Sequence, residues 1–378
     1  MLDSMGGAVR SLAAASLLAA GLAGPAAAQP RLPGFDSPAV GADRRVTFRV
    51  RAQEARSLVL NAPWAGDRLA LKQGADGIWS LTVGPVPPGI YSYTFQLDGA
   101  RVLDPHNSAV KRWRGGNASL VEVPASAPMP YDLRDVPHGA VHAHYYRSES
   151  GGSGRRLLVY TPPGYEADGG RDYPALYLLH GSGDDEAAWT EVGRANLILD
   201  NLIAAGAAEP MLVVMPNGHP VPWSRARRGL RSGNTEAFRS DLLQAAMPLV
   251  GSLYRARTGP EHTAIAGLSM GGGQALHCGA GNLDRFGWVG AFSSAAPSPE
   301  ESPEMRAFLA APARANERLR LLWIAIGRDD FLLERNRSLQ TRLEAAGVRH
   351  TYLLTDGGHS WPVWRDYLAR FAPLLFRD

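Results

Sequence analysis

From Val141 onward, short apolar runs alternate with helix-like stretches, and no other feature narrows the choice of fold as much. Leu157–Tyr160, Ala175–Leu179, Met211–Met215, Thr263–Ala266, Leu321–Ile326 and Thr351–Leu354 read as buried strands. Ala195–Ala205, Glu236–Leu253, Gly272–Gly279 and Leu333–Ala346 read as the helices between them. Strands that are apolar on both faces need cover on both faces, and intervening helices supply it in a mostly parallel sheet. Residues 141–378 are therefore expected to form an α/β domain.

The preceding segment has a different rhythm. Val46, Phe48 and Val50 alternate with polar residues, as do Tyr91, Tyr93, Phe95 and Leu97. That period of two marks strands with one buried face. Turn signals at Asn61-Ala62-Pro63, Gly74-Ala75-Asp76-Gly77, Pro87-Pro88-Gly89 and Asp98-Gly99 separate the runs, which predicts a small β-sandwich over 37–125. Pro124, Pro128, Pro130 and Pro137 punctuate an aperiodic stretch, and 126–140 reads as a linker.

At the N-terminus, Arg10 precedes the apolar run Leu12 to Ala23, and Ala26-Ala27-Ala28 precedes Gln29. This is the layout of an export signal over 1–28 with cleavage after Ala28, and the run is too short to span a bilayer. A periplasmic or secreted protein with no membrane anchor is expected. Charge points to no nucleic-acid partner, since 39 Lys and Arg face 36 Asp and Glu for a net +3. A single cysteine, Cys278, excludes an internal disulfide framework and a cysteine-rich metal site. The His142-x-His144 pair has no third ligand at a useful spacing, so no metal is expected there.

The chemistry centres on Gly267-Leu268-Ser269-Met270-Gly271. A glycine-rich helix start without chemistry can carry the same five residues, so the context decides. A strand-like run leads in and a helical run leads out, which is the strand-to-helix elbow that exposes a nucleophilic serine above an α/β-hydrolase sheet. A serine hydroxyl needs a base, and the base needs an acid to orient it; in such sheets they follow in the order Ser, acid, His. The strand Leu321–Ile326 ends in Gly327-Arg328-Asp329-Asp330-Phe331, and Thr351–Leu354 ends in Asp356-Gly357-Gly358-His359. Strand carboxyl ends are where functional groups gather. Ser269, an aspartate and His359 are therefore expected to converge. Asp329 and Asp330 both remain candidates for the acid, with Asp356 third; His350, at a strand start, is the weaker alternative base.

An oxyanion hole would combine the N–H of Met270 with one from His180-Gly181-Ser182-Gly183, with Ser182 first and Gly181 next. Trp361 and Trp364 are candidate walls of the substrate pocket. Trp64 and Trp113 could stack on sugar rings, whereas Trp79 reads as core. Arg225, Arg227, Arg228 and Arg231 form a basic loop that could frame the cleft.

Leu178-Leu179-His180-Gly181-Ser182-Gly183-Asp184-Asp185-Glu186, Trp189-Thr190, Gly193-Arg194-Ala195-Asn196 and Val214-Met215-Pro216-Asn217-Gly218-His219 resemble carbohydrate esterase family 1. Gly267 to Gln274 and Gly358 to Phe376 match the same pattern. The group holds feruloyl and acetylxylan esterases, with enterochelin-type esterases as relatives. The sandwich resembles the early-set immunoglobulin-like module, close to family-48 carbohydrate-binding modules, that precedes many of them. The resemblance implies an α/β-hydrolase fold and a Ser269–His359–Asp330 triad, because the family's acid directly precedes the aromatic of its loop. It adds Asn217 and His219 as candidate substrate contacts. It implies a cofactor-free serine esterase acting on feruloyl or acetyl esters of plant cell-wall polysaccharide such as xylan. A siderophore-ester hydrolase and a carbohydrate-binding protein with an inert hydrolase domain are the alternatives.

Overall fold

A computed structural model describes residues 34–150, 153–221 and 233–377. The expected export signal over 1–28 and the basic run from Arg225 to Arg231 lie outside the described residues. The described residues from Asp36 onward form one compact unit.

The alternating N-terminal segment folds as ten strands: β1 (Ala39–Val40), β2 (Val46–Arg51), β3 (Leu58–Ala62), β4 (Gly66–Ala70), β5 (Lys72–Gln73), β6 (Ile78–Val83), β7 (Gly89–Leu97), β8 (Ala100–Val102), β9 (Val110–Lys111) and β10 (Ala118–Val123). They make two sheets, β1-β2-β6-β5 and β4-β3-β7-β10-β9, with β8 paired to β7. Val46, Phe48, Val50, Tyr93 and Phe95 point into the core between them. Trp79 joins that core and donates its indole N–H to the Ala52 carbonyl at 2.9 Å.

The second region is built on an eight-stranded sheet. Its strands are β11 (Ala140–Ser148), β12 (Ser153–Thr161), β13 (Ala175–Leu179), β14 (Leu212–Pro216), β15 (Thr263–Leu268), β16 (Trp288–Phe292), β17 (Leu321–Gly327) and β18 (Thr351–Thr355). The order is β11-β12-β14-β13-β15-β16-β17-β18. The six strands from β14 to β18 run parallel, and β11 and β12 close one edge antiparallel. Two apolar clusters cover the two faces. The cluster on one face takes in Ile90 and Leu120 from β7 and β10, so the outside of the small sandwich shares its core.

Residues 126–139 of the expected linker have no regular structure, though Ala140 already belongs to β11, and the segment is fixed in place. Asn201 Nδ2 donates to the carbonyls of Pro130 and Asp132, both at 2.9 Å, and Asp200 accepts from Gly139 N–H and Tyr160. Tyr131 is buried and lies under the guanidinium of Arg365. His142 and His144 sit on the edge strand β11, where their partners are Thr161 and Tyr254. Among the described residues, no helix is long and apolar enough to cross a membrane.

Candidate active site

β15 runs straight into Ser269, whose φ of 54° and ψ of −116° lie in a region non-glycine residues rarely adopt. Such a residue costs on the order of 1–3 kcal/mol and persists only where its surroundings hold it. Here Ser269 N–H donates to Phe292 O at 2.9 Å, and its carbonyl accepts from Gly273 and Ala295 N–H at 3.1 and 2.9 Å. The helix Met270–Gly281 starts at the next residue. A Cβ at Gly267 would stand 2.6 Å from the Gly271 backbone, and one at Gly271 would stand 2.5 Å from His180 O. Backbone cannot yield as a side-chain tip can. Gly271→Ala is thus expected to lower stability by roughly 3 kcal/mol and to cut turnover, as followed by denaturant unfolding and initial rates.

Above this elbow three side chains form a continuous chain of hydrogen bonds. His359 Nε2 lies 2.9 Å from Ser269 Oγ. Its Nδ1 lies 2.9 and 3.1 Å from the two carboxylate oxygens of Asp330. A carboxylate only accepts, so Nδ1 carries the proton and Nε2 is left as the acceptor facing the serine hydroxyl. Asp330 is 4% exposed. Burial pushes its carboxyl up, but hydrogen bonds from His359 and from Leu332 N–H outweigh that and hold it below the usual range. Asp329 is exposed and it is Asp330 that bonds His359, Asp356 pairs with Arg328, and His350 bonds the Val348 carbonyl.

Met270 N–H opens its helix and so belongs to the amides that have no intrahelical partner. Facing it is the turn Gly181–Asp184, closed by Asp184 N–H to Gly181 O at 3.3 Å. A Cβ on Gly181 would come within 3.5 Å of Ser269 Cβ, which measures how closely this turn approaches the serine. Two histidines support the turn as neutral acceptors. His180 Nε2 takes Gly218 N–H at 2.8 Å, and His219 Nε2 takes Gly183 N–H at 3.3 Å.

Burial above all, and then the positive charge of Arg114 and Arg155, drives His219 down to about 2; burial also lowers His180. An unfolded histidine titrates near 6.5. Below that pH the unfolded chain binds protons that the folded chain refuses, so stability is full above about 6.5 and falls as pH drops. Through His219 alone the loss is up to about 1.4 kcal/mol per pH unit. Thermal unfolding between pH 7.5 and 5 is expected to give a falling Tm, with a shallower fall in His219→Gln, whose amide still accepts a hydrogen bond.

Two cavities flank the serine elbow and share Ser182 in their linings. A cleft of about 490 Å³ is lined by Ser269, His359 and Trp361 on one side and by Trp64, Tyr91 and Trp113 of the sandwich on the other. Trp364 lines it too, its ring 4.9 Å from that of His359. A second cavity of about 860 Å³ opens past Met270 and Ser182 and is lined by Arg114, His219, Glu236 and His277. Glu236, His277 and Glu304 bring one ligand atom each within 4.8 Å of one another, which could hold a metal ion; His277 bridges the two carboxylates at 3.4 Å. Asn217 has both amide atoms engaged, with Glu186 and with His219 N–H, and its carbonyl accepts from Arg155. The sandwich residues at the cleft had one signal in the sequence, the tryptophans; Lys111 and Tyr91, which also line it, had none.

A serine, a histidine and a buried aspartate joined in this order above an α/β sheet are the parts of an ester hydrolase site. The comparisons give the class a family: residues 148–375 match the Esterase family, and the chain belongs to it. It is a carboxylic ester hydrolase. An endo-1,4-beta-xylanase/feruloyl esterase from Xylanibacter ruminicola is 31% identical over 355 residues, covering 91% of this chain. The chain spans 46% of that relative's length. An iron(III) enterobactin esterase from Escherichia coli K12 is 24% identical across 82% of this chain and 76% of its own. Among solved structures, a ferulic acid esterase superposes with a TM-score of 0.54 at 26% identity, over 62% of this chain and 97% of that one. The enterobactin esterase of Shigella flexneri, solved with enterobactin, gives 0.64 at 20% identity, over 87% and 92%.

Proposed function

We propose that this esterase works through Ser269, His359 and Asp330 by way of an acyl-enzyme. The observation that carries the reading is the unbroken hydrogen-bond chain from Ser269 Oγ through both nitrogens of His359 to Asp330. Ser269 Oγ attacks the ester carbonyl carbon while His359 Nε2 takes its proton. Charge on the carbonyl oxygen is met by the N–H groups of Met270 and of Ser182 or Gly181, each worth on the order of 3 kcal/mol in the transition state. Collapse expels the alcohol, which leaves with the proton from His359. Water, deprotonated by His359, then attacks the acyl carbon, and Ser269 leaves with its proton restored. Asp330 holds the imidazole in the required tautomer throughout.

The substrate we assign is a feruloyl or acetyl ester on plant cell-wall polysaccharide. The relatives named for feruloyl esterase activity support it, and so does a cleft whose aromatic walls suit a flat ring. In this reading the N-terminal β module is of the early-set immunoglobulin-like kind, and the apolar run Leu12–Ala23 exports the protein. A second reading, hydrolysis of a catecholate siderophore ester, is favoured by one fact. The iron(III) enterobactin esterase of Escherichia coli K12 is related to this chain over 82% of its residues, at 24% identity. Rates on methyl ferulate, p-nitrophenyl acetate and a catecholate trilactone separate the cases. Turnover of methyl ferulate above the trilactone supports the first reading; the reverse order overturns it.

A further inference from the structure

The sandwich does more at this site than line a cleft. β9 pairs with β10 through Lys111↔Ala118, and the loop between them is closed by Gly116 N–H to Trp113 O at 2.9 Å. Arg101 stiffens it from β8, donating to the carbonyls of Gly115 and Asn117 and lying 5.7 Å over the Trp113 ring. The tip rests on the turn that carries Gly181 and Ser182. Arg114 N–H donates to Gly183 O at 2.6 Å. Lys111 Nζ pairs with Asp184 at 2.6 Å, with side chains only 14% and 6% exposed. Arg112 pairs with Asp185 at 3.1 Å and with Glu191 at 3.4 Å. A Cβ on Gly183 would sit 1.9 Å from the Trp113 indole nitrogen, so the ring lies directly on that glycine.

Electrostatics gives these contacts a catalytic consequence. Asp184, Asp185 and Glu186 are three successive carboxylates that directly follow Gly181-Ser182-Gly183, the stretch assigned above to the oxyanion hole. Glu186 is answered within its own domain by Arg156 at 3.0 Å. The other two are answered by cations from the sandwich. In a partly desolvated site an uncompensated carboxylate at that position opposes the oxyanion directly.

We infer that the hairpin Lys111–Gly116 positions the oxyanion hole, with Lys111, Arg112 and Trp113 as positioning residues that fix the Gly181–Glu186 turn and cancel its charge. This rests on the serine-esterase reading above. The module then sets the rate of the chemical step on any ester, including one too small to touch the sandwich.

The test uses the full chain, with active sites counted by fluorophosphonate titration and rates taken on p-nitrophenyl acetate. Lys111→Met should lower kcat per titrated site roughly 10- to 100-fold with KM within about twofold of the parent. A boronic acid, which forms a tetrahedral adduct with the serine, should lose affinity by the same factor as kcat. Lys111→Arg should recover most of both. Because Lys111→Met leaves Asp184 buried without its cation, Trp113→Ala, at a residue 42% exposed, serves as the second variant and should show the same pairing of losses. Per-site kcat within about threefold of the parent in both variants, or a rise in KM alone, overturns the inference. A parent chain that no fluorophosphonate labels overturns the serine-esterase reading, and this one with it.

Discussion

Ser269→Ala is expected to lower kcat on any ester substrate by about five orders of magnitude, with the fold and Tm unchanged. The size follows from the role assigned to it. Without the hydroxyl there is no acyl-enzyme, and what remains is the oxyanion site and substrate binding, which in serine hydrolases leave a residual of about 10³–10⁴ over water. Retention of the fold follows from position. Ser269 holds the elbow through its backbone N–H and carbonyl, and alanine keeps both bonds. Binding of a non-hydrolysable ester analogue should survive, so the loss should appear in kcat more than in KM.

Asp330→Asn is the second large effect, about 10⁴-fold in kcat. An amide in place of the carboxylate can present N–H to His359 Nδ1. It then favours the tautomer that places the proton on Nε2, where it faces Ser269 Oγ and cannot accept from it. The control lies one residue away. Asp329→Asn changes an exposed side chain with no bond to His359 and should leave the rate within about twofold. Comparable losses in the two variants would remove the assignment of the acid.

That control also marks where sequence reasoning stops. The elbow at Ser269 is legible because its constraints are local. Gly267 and Gly271 stand where backbone crowds backbone, and the flanking strand and helix are written in the hydropathy on either side. The parallel sheet is legible for a similar reason, since strands apolar on both faces accept few arrangements. Asp329 and Asp330, in contrast, are chemically alike and adjacent. Only the turn after β17, with Leu332 N–H capping one carboxylate, decides which side chain reaches His359, and the pattern of a family was needed to choose. The sequence offers His219 as a candidate substrate contact; in the fold its Nε2 accepts the Gly183 amide while its ring lines the larger cavity, a double use that no local pattern signals. The hairpin over the oxyanion turn is less legible still. Lys111 meets Asp184 across 73 residues of sequence, and that pairing depends on how two separately patterned regions dock.

The central claim is that Ser269 carries the acyl group. Acid quenching during turnover of methyl ferulate, then peptide mass analysis, tests it most directly. A feruloyl adduct on the peptide bearing Ser269, present in the parent chain and missing from Ser269→Ala, is the predicted result. Sustained turnover with no adduct at Ser269, or turnover undiminished in Ser269→Ala, would contradict it.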